Sequence, residues 1–405
     1  MANIVIIANF CSREDFNSRF VYLADLLAKN HHSVEILTSD FNHGMKCPKD
    51  FNSNIDGVKV TRIHEPGYPN NVSVKRLLSH YIWGRNIYNY LKKMSVKPDV
   101  IYCAIPSLTA ARLVGKYANK NQIKFITDIQ DLWPEAFAIV VKNQLLKKLI
   151  FTPFHKYADG AYRLSDVVVG VSETYCNRAL KACKKNADKI VVYLGNNGQK
   201  FDKAKLQESF DKPSNEYWVA YIGTLGYSYD LKCMIDAIAI AEEQFKNDTT
   251  IKFIVMGHGP LKQDFENYAA LKNVDAVFTG KLNYEKMVSI LCKCDVQANI
   301  IVKDAAQSIT NKVGDYALSG LPVINTQENQ EYRDLIDEYQ CGINCEVGNA
   351  NEVAQALIKL INNPELSKEM GDNSRRLGLD RFDRRSSYPL IVNAIEQLIN
   401  NEISK

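Results

Sequence analysis

Three observations predict an α/β protein made of two facing, Rossmann-like, doubly wound parallel-sheet domains. At 405 residues the chain exceeds the length at which one hydrophobic core stops growing, so two domains of roughly 200 residues are expected. Short β-rich apolar runs alternate with longer segments of helical period, the pattern of strands joined by helical crossovers. The alternation pauses at a polar stretch near the middle of the chain and then resumes.

The first series opens with Ile4 to Ile7, which reads as a buried strand. No basic region precedes it and no small-residue cleavage pattern follows, so it is not taken for a signal peptide. Phe20 to Leu27 has helical spacing. Val34 to Leu37, Asp99 to Cys103, Lys124 to Ile126, Val167 to Val171 and Ile190 to Tyr193 continue the strands. Gly195-Asn196-Asn197-Gly198, with the apolar-poor Asp202 to Glu216, reads as an interdomain linker. The second series runs through Trp218 to Ile222, Lys252 to Met256, Ala276 to Phe278, Val296 to Ile301 and Pro322 to Asn325. In the last segment Leu390, Ile391, Ala394, Ile395, Leu398 and Ile399 share one helix face, a docking helix for either domain. The expected boundaries are 1–198, 199–385 and 386–405. Ligands of open parallel sheets bind beyond the strand carboxyl ends, so a substrate cleft is expected between the domains.

Apolar residues make up 46% and charged residues 24% of the chain, which excludes a disordered, collagen-like or disulfide-scaffold protein. Ten cysteines without zinc-ligand spacing suit reduced cytosolic thiols, and no apolar run approaches the ~18 residues that span a bilayer. The net charge of +4 hides an asymmetry: residues 1–200 hold 28 Lys and Arg against 16 Asp and Glu, and the rest hold 22 against 30. A basic first half (+12) beside an acidic second half (−8) points to an anionic partner for the first, such as a membrane surface, a diphosphate-linked lipid or nucleic acid, or else to a solvated basic face.

The segment DAAQSITNKVGDYALSGLPVIN from Asp304 to Asn325 is the most informative. Ser308 and Thr310 are candidate N-caps for a helix that starts near Asn311 and is closed by Gly320 and Pro322. Its free amides and positive dipole end would suit a diphosphate, with Lys312 adding charge and Asp315, one turn on, accepting from ribose hydroxyls. Asn311-Lys312, Asp315-Tyr316 and Ser319-Gly320-Leu321-Pro322-Val323 resemble the donor segment of retaining family 4 glycosyltransferases, of the kind that build capsular and lipid-linked polysaccharides. Further motifs along the chain carry the same resemblance: His31-His32-Ser33-Val34-Glu35, Asp131-Leu132-Trp133-Pro134-Glu135, Tyr162 to Ser172, Asn197-Gly198, Tyr221 to Gly226, Met256 to Pro260 and Phe278 to Leu282.

The resemblance implies the GT-B fold, an anomer-retaining transferase, a UDP- or GDP-sugar donor, and neither metal nor other cofactor. It places Gln307, eight positions before Asp315, where the family has the first of two glutamates, and Asp315 where it has the second. Gln307 can hydrogen-bond a donor sugar but carries no negative charge. The family's Arg and Lys after Gly223 are replaced by Thr224-Leu225-Gly226, which moves the leaving-group cation to Lys312 or Lys281. Donor contacts are further expected from Gly223, Thr224, Leu225, Gly257, Gly259, Leu282, Asn311 and Val313. Gly257-x-Gly259 lacks the third glycine of a dinucleotide fingerprint and reads as a tight turn near the nucleotide base.

In the first half Asp128, Gln130 and Asp131 follow a strand and would face the cleft. Asp131 could position or deprotonate an acceptor hydroxyl, and Gln130 stands where relatives often have a His or Arg. Trp133 and Glu135 are expected at the acceptor wall, and Arg13 and Asn17 at an anionic ligand. The run from Lys142 to Tyr162 is either a basic amphipathic surface for anionic lipid or ordinary core-and-surface patterning.

The expected function is sugar transfer from a nucleoside diphosphate to a saccharide or polyprenyl-diphosphate-linked acceptor in bacterial surface polysaccharide synthesis. The expected location is the cytoplasm, including the inner face of the plasma membrane, with no nucleic-acid partner. The alternative is a GT-B subunit that binds a partner or sugar nucleotide without turnover.

Overall fold

The computed structural model describes residues 1–11, 18–48, 56–71, 73–135, 144–207, 211–244, 249–303, 305 and 309–403. The chain divides into two compact units, Met1–Tyr193 with Tyr388–Lys405, and Leu194–Ser387.

The first unit runs β1 (Asn3–Ile7), α1 (Arg19–Lys29), β2 (Ser33–Ser39), a short hairpin β3 (Phe41–Asn42) and β4 (Cys47–Pro48), β5 (Val58–Ile63) and α2 (Val74–Lys93). It continues with β6 (Val100–Ile105), α3 (Leu108–Lys120), β7 (Lys124–Ile129), α4 (Gln144–Tyr162), β8 (Val167–Gly170), α5 (Glu173–Leu180) and β9 (Asp188–Val191). Among the described residues these build a seven-stranded sheet in the order β5-β2-β1-β6-β7-β8-β9, every pair parallel. Central strands carry helices on both faces, so VIYCAI in β6 is apolar throughout and buried throughout instead of alternating. Helix α1 presents Phe20, Leu23, Ala24 and Leu27 to Ile4 and Ile6 of β1. Of these, the Phe, Leu and Ile side chains each contribute about 1.5–3 kcal/mol when fully buried.

The second unit opens with α6 (Gly198–Lys205), β10 (Glu216–Ile222), α7 (Leu231–Gln244), β11 (Thr250–Met256), α8 (Lys262–Leu271), β12 (Ala276–Gly280), α9 (Tyr284–Leu291) and β13 (Val296–Asn299). It goes on through α10 (Lys312–Ser319), β14 (Val323–Asn325), α11 (Gln330–Tyr339), β15 (Gly342–Asn344), α12 (Ala350–Asn362), α13 (Pro364–Leu377), a π-helical turn and α14 (Arg384–Ser387). Its sheet is six-stranded among the described residues, in the order β12-β11-β10-β13-β14-β15, and again parallel. Both sheets are the doubly wound α/β sheets expected from the alternation of strands and helices.

The expected boundary at residue 198 shifts, and of the two domains open to the last helix the first one takes it. The segment 194–198 lies in the second unit because Asn196 pairs with the strand-like residues after Phe382: its amide donates to the Phe382 carbonyl at 2.8 Å and its carbonyl accepts from Arg384 at 3.0 Å. The last helix, α15 (Pro389–Ile403), belongs to the first unit, where Ile391, Val392 and Ile395 join the core of β1 and α1. Leu390 points to solvent and Val392 is buried, while Ile391, Ala394, Ile395, Leu398 and Ile399 lie on the inward face expected of them. No helix among the described residues is long and apolar enough to cross a membrane.

Candidate functional site

The candidate donor site of the second unit is built at the carboxyl ends of β10, β11 and β13, beside the start of α10. Beyond β10 the chain turns at Gly223, with φ 136°, a backbone region that side chains disfavour. Its amide donates to the Met256 carbonyl at 3.1 Å, and Leu225 donates to the His258 carbonyl at 3.1 Å. The loop after β11 therefore lies flat against the loop after β10. A Cβ on Gly257 would stand 1.8 Å from the Gly223 carbonyl oxygen, and one on Gly259 would stand 2.2 Å from that of Leu225. Both glycines serve this loop-on-loop approach, which a spacing pattern alone cannot tell from close approach to a ligand.

Tyr316 fastens α10 to the sheet. Its hydroxyl accepts from the Ile222 amide at 3.0 Å and donates to the Ala298 carbonyl at 3.1 Å, bridging the ends of β10 and β13. Gln297 holds the far end of the helix through the Tyr316 and Leu321 carbonyls, and Gly320 closes it in the left-handed conformation. The helix starts at the expected place, but not through a side-chain cap. Asn311 is the N-cap residue and makes no capping bond, and the Thr310 hydroxyl is buried without a partner. The Val313 and Gly314 amides donate to the Thr310 and Asn311 carbonyls at 3.1 and 3.3 Å, while those of Asn311 and Lys312 precede the helical ladder.

Lys312, on the first turn, is only 9% exposed. Its Nζ has no hydrogen-bond partner among the described residues and lies 4.4 Å from the ring centroid of Tyr221, 4.5 Å from that of Tyr229 and 5.7 Å from that of Tyr316. Burial pulls its pKa down to about 7, whereas the ring faces favour the charged form. The methylene stem passes Gly223, whose added Cβ would stand 3.8 Å from Lys312 Cδ. Tyr221 and Tyr229 were not picked out by the sequence reading. Their only signal is that they flank the glycine turn, eight positions apart.

Asp315 is half-buried, and its Oδ1 accepts from both Asn196 Nδ2 at 2.6 Å and Tyr284 hydroxyl at 2.8 Å. Burial raises its pKa to about 6, against the pull of these two donors. Oδ2 is left for a further donor. Leu225 and Val313 are fully buried in the second unit and their amides already donate to the His258 and Thr310 carbonyls, both at 3.1 Å, so neither of these expected donor contacts faces a ligand. Thr224 is exposed, Lys281 is exposed beyond the end of β12, and Leu282 packs against the cluster around Tyr316. Lys232, the first cation in the chain after Gly223, lies over the Tyr268 ring at 5.0 Å. Gln307, together with Arg13 and Asn17, lies outside the described residues.

In the first unit Asp131 accepts from Trp133 Nε1 at 2.9 Å, and burial raises its pKa. Gln130 Nε2 is buried without a partner beside it in the chain. Glu135 is engaged by Arg178, which also holds Asp159, and lies 3.3 Å from His155. Asp128 is not among the ligand-facing residues. It is fully buried, with Arg19 Nε at 2.6 Å and the Tyr102 hydroxyl at 2.7 Å, because its strand position points it into the sheet face covered by α1.

The model of glycosyltransferase family 4 matches residues 17–194, and that of glycosyl transferases group 1 matches residues 202–377. An uncharacterized glycosyltransferase of Methanocaldococcus jannaschii is 24% identical over 266 residues. That alignment covers 64% of this chain and 65% of the relative, just under two thirds of its length. Anabaena HepE, solved in complex with UDP, is similar in fold at a TM-score of 0.66 and 13% identity, over 98% of this chain and 100% of that one. WaaG, a glycosyltransferase involved in lipopolysaccharide biosynthesis, is similar at a TM-score of 0.60 and 14% identity, over 97% and 99%. Matched in both halves by glycosyltransferase models, and folded as two parallel-sheet α/β units, this chain belongs to the GT-B glycosyltransferases.

Proposed function

We propose that this chain transfers a sugar from a nucleoside diphosphate, UDP or GDP, to a saccharide acceptor, with retention of anomeric configuration. The observation that carries the reading is the buried, unpaired Lys312 amine at the start of α10, beside the glycine turn that ends β10. A cation kept without an acceptor in an apolar cage is costly unless an anion completes it. The carboxyl end of a parallel sheet beside a helix N-terminus is where phosphates bind. The UDP held by HepE, a protein of similar fold, agrees with a nucleotide ligand.

In this reading the amides of Asn311 and Lys312 and the Lys312 amine receive the diphosphate, and Asp315 Oδ2 accepts from the ribose. Gly223, Thr224, Gly257, Gly259, Lys281 and Leu282 border the donor. Gln307 contacts the donor sugar. The anomeric carbon–phosphate oxygen bond breaks while the bond to the acceptor oxygen forms on the same face. The acceptor's proton passes to the departing phosphate, and no metal is needed because Lys312 and the helix-start amides carry the charge stabilisation. Asp131, Gln130 and Trp133 of the first unit serve the acceptor, Asp131 by orienting its hydroxyl.

The acceptor is lipid-linked and belongs to bacterial surface polysaccharide synthesis. The motifs of the donor segment, the role of WaaG in lipopolysaccharide biosynthesis and the +12 charge of the first 200 residues support this, with the work done at the cytoplasmic membrane surface. A panel of UDP- and GDP-sugars, scored for nucleotide release with and without membrane extract, tests it. Release that depends on one donor and on the extract is expected. Thermal stabilisation by a nucleotide with no turnover under any acceptor would instead leave a nucleotide-binding subunit.

A further inference from the structure

The first unit holds a second concentration of buried, unsatisfied polar chemistry, at the carboxyl ends of β1, β2, β5 and β7. At its centre is Arg76, on the first turn of α2 and 8% exposed. Its guanidinium lies 4.3 Å from the ring centroid of Trp133, 5.4 Å from Tyr68 and 6.0 Å from Phe10. Nη1 donates to the Asn71 carbonyl at 2.8 Å, and Nε is buried with no acceptor. No carboxylate forms an ion pair with it among the described residues, and burial holds its pKa below the usual arginine value.

Two carboxylates, Asp131 and Glu65, act on the Arg76 charge at longer range without forming an ion pair with it. Glu65 is already the acceptor for Asn9, Ser39 and Ser79, and Asp131 for Trp133. His80 stacks on Trp133 at 5.6 Å, with Nε2 buried, 3.9 Å from Glu65 Oε1 and without a hydrogen-bond partner among the described residues. Burial lowers its pKa to about 3 and that of His43 to about 4, so both rings are neutral at pH 7. Lys46, over the Tyr68 ring at 4.9 Å, adds a second positive charge. The ring faces fix the plane of the guanidinium and leave Nε without an acceptor among the described residues, on the edge that can take a two-oxygen anion side-on.

We propose that Arg76 is the anchor of an anion-recognition site in the first unit, taking a carboxylate or phosphate group carried by the acceptor. The assignment of that anion to an acceptor rests on the transferase reading. Two sources share the chemistry, an acidic sugar of the saccharide and the diphosphate of a lipid link. An Arg76-specific response to either would make charge on the acceptor a determinant of specificity.

The test is a titration of the full chain with glucuronate, glucose and inorganic pyrophosphate, followed by intrinsic fluorescence, with Trp133→Phe assigning the signal. Arg76→Met and Lys312→Met are titrated alongside. A saturable Trp133 signal is expected with glucuronate, or with pyrophosphate if the lipid link is the source, and none with glucose. Arg76→Met should weaken it at least tenfold without lowering Tm, since replacing a buried unpaired charge by an apolar side chain is neutral or stabilising. Lys312→Met should leave it unchanged and weaken UDP instead, so that failure of the donor reading and failure of this one are separate results. A response to glucose equal to that to glucuronate, absence of response to both anions, an undiminished response in Arg76→Met, or a Tm drop of several degrees in that variant would each overturn the proposal.

Discussion

The Lys312 amine lies 4.4 Å from the centre of the Tyr221 ring, and no hydrogen-bond acceptor among the described residues reaches it. Burial lowers its pKa from 10.5 to about 7, so between those values the unfolded chain binds more protons than the folded one. Stability attributable to this residue therefore rises with pH across that window, and the full penalty is present below about pH 7. At about 1.4 kcal/mol per pKa unit, offset by cation–π attraction, the penalty is on the order of 3 kcal/mol. Lys312→Met should thus be more stable than the parent chain at pH 7. Denaturant melts should show the difference shrinking toward pH 10, and a variant less stable at pH 7 would contradict the assignment.

The same amine makes nucleotide binding pH-dependent. A diphosphate favours the protonated lysine and raises its pKa, so binding above about pH 7 takes up a proton. Affinity for UDP should fall by up to tenfold per pH unit from about 7 to 9. Calorimetry in buffers of different ionisation enthalpy should register the uptake. In Lys312→Met the slope should vanish and affinity at pH 7 should be at least tenfold weaker. Lys232→Ala, whose amine sits over Tyr268 at 5.0 Å, should bind as the parent does.

Asp315 supplies a second titration in the same site. Tyr284 and Asn196 both donate to its Oδ1 and hold down a pKa that burial raises to about 6. Tyr284→Phe removes one donor, so the pKa moves further up and the carboxyl is mostly neutral at pH 6.5. If Asp315 Oδ2 accepts from ribose, UDP affinity at pH 6.5 should fall several-fold in this variant and recover by pH 8. Isotope-edited infrared spectroscopy of the carboxyl band would follow the protonation directly.

The sheets were legible because buried parallel strands are continuous apolar runs, as in VIYCAI of β6, and because Gly320 and Pro322 mark the end of α10. Lys312 and Asp315 stood out through helix position. The tyrosine cage did not, since Tyr221 meets Lys312 only after the turn at Gly223 brings β10 beside α10. Arg76 was equally hidden: its partners Phe10, Tyr68 and Trp133 come from three separate strand ends, a proximity set by sheet order. Asp128 shows the opposite failure, a carboxylate at a strand end that the pleat directs inward.

That inward direction makes the strongest stability prediction for the first unit. Arg19 Nε meets Asp128 at 2.6 Å, Nη1 donates to the Val192 carbonyl at 2.8 Å, and the guanidinium lies over the Tyr388 ring at 5.2 Å. Tyr102 donates to the same carboxylate at 2.7 Å, so α1, β6, β7, the end of β9 and the start of the last helix converge on one buried ion pair. Asp128→Asn leaves Arg19 charged and unpaired in the core, which typically costs about 3–5 kcal/mol. Chemical denaturation should show that loss. Arg19→Met with Asp128→Leu should restore much of it, because removing both charges also removes their desolvation. UDP affinity, assigned to the second unit, should be unchanged in both variants under conditions where they are folded, whereas an acid that served the ligand would lose binding or turnover even in the stabilised pair.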